Sequence, residues 1–195
     1  MNKKNIITIA GKPGSGKSTA SKSIAQELGF EHFSSGDLFR AIGRERGAQI
    51  NEANELAEKE KDIDELVDQR LRDIGASQNQ VIIDSRMAWH WMPQSFKVYL
   101  NLDLEVAALR ILSDMDDERR KHEHIPKDPA EYAKLLKSRL DSEARRYKKL
   151  YDVNPYDVNN YDLVVNTADH QPKEVQELIM SEYNLWLGLN SSTLA

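Results

Sequence analysis

Residues Gly11-Lys12-Pro13-Gly14-Ser15-Gly16-Lys17-Ser18 satisfy G-x-x-x-x-G-K-[ST] at every fixed position, directly after the apolar run Ile6-Ile7-Thr8-Ile9-Ala10. Such a segment commits the chain to a strand, a tight loop and a helix in that order. Its glycines permit the backbone angles that let successive amide N–H groups converge on phosphate oxygens, and the helix opening near Lys17 aims the positive end of its dipole at them. Lys17 in this position reaches the β- and γ-phosphates. Ser18 offers a short hydroxyl to Mg²⁺, which prefers oxygen ligands. The stretch from Gly11 to Thr19 is expected to hold ATP with its Mg²⁺.

A chain of 195 residues suffices for one α/β domain with a sizeable core and a small insertion. Lysine and arginine number 27 against 32 acidic residues, a net charge of −5, so no global positive field is available to hold long nucleic acid. A small anionic substrate needs only a local cluster of arginines. The absence of cysteine rules out disulfides and thiolate-zinc sites, and suits a reducing, cytoplasmic setting. The N-terminus shows no signal-peptide pattern and no run long enough to span a membrane, and a monomer is expected.

Short apolar runs rich in β-branched residues predict strands over 5–10, 30–34, 81–84, 97–101 and 162–166. Helical patterns fill the gaps: Lys17 to Leu28 with Gly29 at its end, about Gly36 to Arg46, two helices within 51–77, and 103–113 opened by Asp103. Asn51 is a candidate cap for the first of that pair and Asp62 or Asp64 for the second. From Asp114 to Asp128 there is little to bury, so this segment either stays solvated or closes over a charged ligand. Asp128 and Pro129 then open a long basic helix to about Tyr151, and a last helix runs from about Pro172 to Leu187, with a frayed tail from Ser191. Alternation of strand and helix predicts a parallel sheet covered on both faces.

Three further segments offer chemistry. Phe33-Ser34-Ser35-Gly36-Asp37-Leu38-Phe39-Arg40 lies where the second strand hands over to a helix, at the sheet edge where ligands of open α/β sheets bind. Ser35 and Asp37 suit either capping or ligand contact, and the planar fork of Arg40 suits a phosphate. Val81-Ile82-Ile83-Asp84-Ser85-Arg86 is an apolar strand ending in an acid, which beside the glycine-rich loop reads as a second carboxylate for Mg²⁺, with Arg86 facing the same cleft. Met87, Trp89, Trp91 and Met92 follow, as core or as an apolar wall. On the long helix, Arg139, Arg145 and Arg146 cannot all point one way. Arg119 and Arg120 in the charged segment are placed to close over transferring phosphates, and His122-Glu123-His124 brings no further metal ligands with it.

Taken together these residues resemble the nucleoside monophosphate kinases, most closely the archaeal-type cytidylate kinases, over about Ile6 to Ile179. The resemblance rests on the glycine-rich loop, Ser34-Ser35-Gly36-Asp37-Leu38-Phe39-Arg40, Asp84-Ser85-Arg86, Arg145-Arg146-Tyr147 and Tyr161-Asp162-Leu163-Val164-Val165-Asn166-Thr167. It implies a P-loop NTPase three-layer fold with a five-stranded parallel sheet, an acceptor-binding helical part over 35–77 and a lid over 113–128. It also implies transfer of the ATP γ-phosphoryl group to CMP or dCMP, with Lys17, Arg119, Arg120 and Arg145 catalytic, Ser35, Gly36, Asp37, Arg40, Arg86 and Arg139 on the acceptor, and Ser18 and Asp84 on the metal. Ser35-Gly36-Asp37-Leu38-Phe39-Arg40 is also close to the Thr-Gly-Asp-x-x-Arg of adenylate kinases. Bacterial cytidylate kinases carry an aspartate where this chain has Met87. A kinase for AMP or a hydroxyl-bearing metabolite, a P-loop ATPase acting as switch or assembly factor, and a ligand-sensing domain are the alternatives.

Overall fold

A computed structural model describes residues 5–45, 62–122 and 124–192. The first strand, β1 (Ile6–Gly11), runs into the loop and then α1 (Lys17–Leu28), which ends at Gly29 in the left-handed conformation with its N–H bonded to Ala25. After β2 (Glu31–Ser34) come α2 (Ser35–Glu45) and α3 (Asp62–Ser77), then β3 (Val81–Asp84) and a single turn α4 (Ala88–Trp91). The chain continues through β4 (Phe96–Asn101), α5 (Leu104–Ser113), α6 (Asp117–His122) and the long α7 (Pro129–Tyr151). A 3₁₀ turn (Val158–Asn160), β5 (Leu163–Asn166) and α8 (Pro172–Ser192) complete it. The expected helix capped by Asn51 lies outside the described residues. The last helix outruns its expected end at Leu187, so Ser191 and Ser192 are helical and not part of a tail.

The five strands are parallel in the order β2-β3-β1-β4-β5. With β1 central and its neighbours β3 and β4 on either side, the loop after β1 opens at the switch point of the sheet, outside the carboxyl ends of the strands. Side chains alternate across the sheet. Ile7, Ile9 and Val98 pack with Ile24, Val175, Ile179 and Tyr183 of α1 and α8 on one face. Ile6, Val81 and Ile83 pack with Val67, Leu71 and Ile74 of α3 and with Ala88 and Met92 on the other. These strands are buried on both faces, which is why they read as continuous apolar runs.

A third cluster joins α5 to α7 through Ala107, Ala108, Tyr132, Ala133 and Leu136. Ile125 belongs to it and is 8% exposed, so the charged segment 114–128 is not wholly solvated: one apolar anchor and the short α6 fasten it. Asp103 and Asp128 cap α5 and α7 as their sequences predict, each carboxylate accepting a first-turn N–H. Met87 and Met92 are core, whereas Trp91 is only partly buried.

The tightest approach in the sheet lies at Gly11, where φ is +151° and an added Cβ would stand 2.3 Å from the carbonyl oxygen of Leu100. Gly11→Ala should therefore lower the unfolding free energy by more than about 2 kcal/mol in urea titration, since neither the backbone angle nor the facing carbonyl can yield cheaply.

Candidate active site

The loop after β1 closes on one oxygen. The Lys12 carbonyl accepts from Ser15 N at 3.4 Å, from Ser15 Oγ at 2.8 Å and from Lys17 Nζ at 2.9 Å, and Lys12 N is tied to Leu100 O at 3.3 Å. Gly16 is the N-cap of α1 and supplies no side chain, so no side-chain oxygen caps the first-turn N–H groups. Those donors and the dipole behind them form an anion cradle. Burial lowers the Lys17 pKa to about 8, with the nearby Arg86 charge acting in the same direction against Asp84 and Glu143.

Beside the cradle lies a cavity of 530 Å³ lined by Gly14, Thr19, Arg110, Asp114, Thr167 and His170 among others. Arg110 of α5 is fixed along its wall, its Nη2 donating to Thr167 O at 2.7 Å and to Ala168 O at 3.3 Å. Arg110 is not among the sequence-predicted site residues, whereas Gly14, Thr19 and the Tyr161–Thr167 segment named for the resemblance supply part of this wall. A helical arginine facing a pocket of mixed polar and apolar lining carries no local signature.

The strand end Asp84-Ser85-Arg86 meets the cradle directly. Ser18 Oγ donates to Asp84 Oδ2 at 2.6 Å, and Asp84 is only 6% exposed. The two oxygen donors thus share one point at the loop, a set suited to a hard cation such as Mg²⁺. Among the described residues no group of three or more His, Asp or Glu side chains is arranged to hold a metal.

Arg86 turns from the same strand end toward α7, where its Nε lies 2.8 Å from Glu143 Oε2. Glu143 also accepts from Arg139 Nε at 3.2 Å and from the Tyr156 hydroxyl at 2.6 Å. Next along the face, Arg146 Nε donates to Asp64 Oδ2 at 3.2 Å, bridging α7 to α3. At 100° per residue, positions 139, 143 and 146 fall on one face of α7 and 145 does not. Arg145 is accordingly exposed in a separate surface groove with Lys148 and Lys149, while Arg146 faces α3.

On the other side of the cleft, Ser34 rather than Ser35 or Asp37 caps α2, its Oγ accepting from Asp37 N at 3.3 Å. Arg40 folds back over Gly36 and pairs with Asp37, whose carboxyl that hydrogen bond holds below the usual aspartate range. In the charged segment, Arg120 binds Asp117 at 2.9 Å and approaches Ile125 O, fastening α6 to the turn that follows. The side chain of Arg119 lies outside the described residues, as do those of His122 and Glu123.

The family described as "AAA domain" matches residues 10–131. A cytidylate kinase of Haloarcula marismortui is 41% identical over 174 residues, covering 87% of this chain and 84% of that protein. The chain belongs to the cytidylate kinase family. A second member, from Halobacterium salinarum, is 35% identical over 90% of this chain and 87% of its own length. A gluconokinase of Sinorhizobium meliloti shares the fold, with a TM-score of 0.58 at 17% identity over 100% of this chain and 99% of that one. Within the family the Gly11–Thr19 loop and the Asp84-Ser85-Arg86 strand end are the elements this chain brings within hydrogen-bonding reach of each other.

Deeper between α3 and α4 lies Asp68, 2% exposed, with Trp91 Nε1 donating to its Oδ1 at 3.1 Å and its Oδ2 without a hydrogen-bond partner. Burial pushes its pKa up to about 6. The folded chain thus binds this proton more tightly than the unfolded one, and on this account stability falls as pH rises from about 4 through 6. Asp68→Asn keeps an acceptor for Trp91 and removes the charge. It should stabilise the protein by about 1–3 kcal/mol at pH 7, with the gain fading near pH 4, as read by urea unfolding at the two pH values.

Proposed function

We propose that the protein transfers the γ-phosphoryl group of ATP to CMP or dCMP, giving ADP and the nucleoside diphosphate. The observation that carries this reading is the meeting of Asp84 with Ser18 at the mouth of the glycine-rich loop, with Arg86 two residues further on and felt at Lys17. One strand end thereby serves both substrates. Donor phosphates sit in the cradle of Gly11, Lys12, Pro13, Gly14, Ser15, Gly16, Lys17, Ser18 and Thr19, with the donor base in the cavity beside Arg110 and Thr167. The acceptor would occupy a cleft that Ser35, Gly36, Asp37 and Arg40 of the helical part 35–77 share with Arg86 and Arg139.

Ser18 and Asp84 would hold Mg²⁺, which when bound supplies positive charge to the β- and γ-phosphate oxygens. An oxygen of the acceptor phosphate attacks the γ-phosphorus in line, the bond to the β-phosphate oxygen breaks, and ADP leaves with the electron pair. The nucleophile is already anionic, so the protein provides no general base. Its work is positioning and charge stabilisation by Lys17 and the arginines. Arg119 and Arg120 would act from the lid, 113–128, with Arg120 exchanging Asp117 for phosphate. The same reading makes the protein a cytoplasmic monomer without a long nucleic acid partner. No helix among the described residues is long and apolar enough to cross a membrane.

Purified protein with ATP, Mg²⁺ and each of CMP, dCMP, UMP, AMP and GMP should form ADP rapidly only with CMP or dCMP. Preference for AMP, or ADP release indifferent to any monophosphate, would overturn the acceptor assignment. Lys17→Met should reduce turnover by about 10³-fold or more with an unchanged circular dichroism spectrum. Arg40→Ala should chiefly raise the acceptor KM.

A further inference from the structure

Glu143 is buried, 6% exposed, and takes part in three polar contacts at once. Oε2 meets Arg86 Nε at 2.8 Å and accepts from the Tyr156 hydroxyl at 2.6 Å, while Oε1 accepts from Arg139 Nε at 3.2 Å. Burial alone would raise its pKa, but Arg86, Arg139 and the Tyr156 hydrogen bond outweigh burial and hold it below the usual glutamate range. The carboxylate is therefore ionised, with both oxygens engaged.

What remains open is the other end of each arginine. Arg139 is held at Nε by a hydrogen bond, whereas Arg86 Nε lies 2.8 Å from Oε2 as an ion pair without an aligned hydrogen bond, and among the described residues no hydrogen bond runs from the terminal amines of either arginine. A fork gripped at Nε presents its terminal N–H groups outward, in the geometry that matches phosphate oxygens. The two arginines arrive from different elements, one from the end of β3 and one from α7, and without a shared anion their charges repel. A carboxylate between them removes that repulsion before the ligand arrives, and limits the rotamer freedom otherwise lost on binding.

We infer that Glu143 is a positioning residue that holds Arg86 by its charge and Arg139 by a hydrogen bond at Nε, so that their terminal amines grip the phosphate of the acceptor nucleotide. Tyr156 fixes the carboxylate in that role. The inference rests on the acceptor reading above and names the device that prepares its site.

Glu143→Gln keeps size and hydrogen bonding but loses the charge. Steady-state kinetics should show the CMP KM raised about 10-fold to 100-fold, with the ATP KM changed by less than about 2-fold. Glu143→Asp, which keeps the charge but shortens the reach, should recover part of that loss. In an Arg86→Gln, Arg139→Gln background no cation is left for the carboxylate to hold, and adding Glu143→Gln should change the CMP KM by less than about 2-fold. Equal losses for ATP and CMP, or full additivity in that background, would reduce Glu143 to a structural residue and overturn the inference. Should Glu143→Gln fail to fold, Glu143→Asp, alone and in the double-glutamine background, decides on the same criteria. If the native chain depends on CMP and a folded Glu143→Gln leaves the CMP KM unchanged, the inference alone fails. Native turnover indifferent to CMP removes the acceptor reading and the inference together.

Discussion

The parallel pairing of β1 with β3 is the constraint on which the site depends. Ile9 stands opposite Asp84, and Ser85 N donates to Ile9 O at 3.1 Å, so the last residue of β3 ends level with the entry to the glycine-rich loop. From that register Asp84 reaches Ser18, and Arg86 lies within electrostatic range of Lys17. On the other edge of β1, Leu100 O receives Lys12 N and comes so close to Gly11 that no side chain fits. A slip of one residue would exchange the side chains that β1 packs on its two buried faces as well as parting Asp84 from the loop.

Around this junction the charges are interleaved. Lys17, Arg86, Arg139 and Arg146 line one continuous stretch, with Asp84, Glu143 and Asp64 set among them. A chain with a net charge of −5 thus builds a local cationic cleft without a basic surface. Partly buried charges are costly unless paired, and each of these arginines has an acidic partner that offsets that cost. The partners also keep the arginines ordered, which matters for a reaction whose acceleration comes from placing charge.

The regular elements were legible because their signals are local. Asp103, Asp128 and Gly29 terminate helices where expected, and strands buried on both faces announce themselves as apolar runs. Boundaries were less secure: Ser34 caps α2 in place of Ser35 or Asp37, and Ile125 anchors a segment whose charge density hides it. At the site, Lys17, Ser18, Asp84 and Arg86 were readable from motif and position. Glu143 was within reach, four residues beyond Arg139 on one helix face. Asp64, Tyr156 and Arg110 were not, because the partners that give them meaning lie 82, 13 and 57 residues away.

By itself the sequence determined the phosphate cradle, the α/β alternation and the type of chemistry, since a glycine-rich turn, an apolar period and a helix dipole are properties of neighbouring residues. Tertiary structure alone decided which arginines meet Glu143 and Asp64. The rotation of α7 sends Arg139 and Arg146 inward and Arg145 to solvent, and the sheet order sets Arg86 opposite them. Helical phase limits which residues can share a face, but which face meets the cleft depends on packing between elements far apart in the chain.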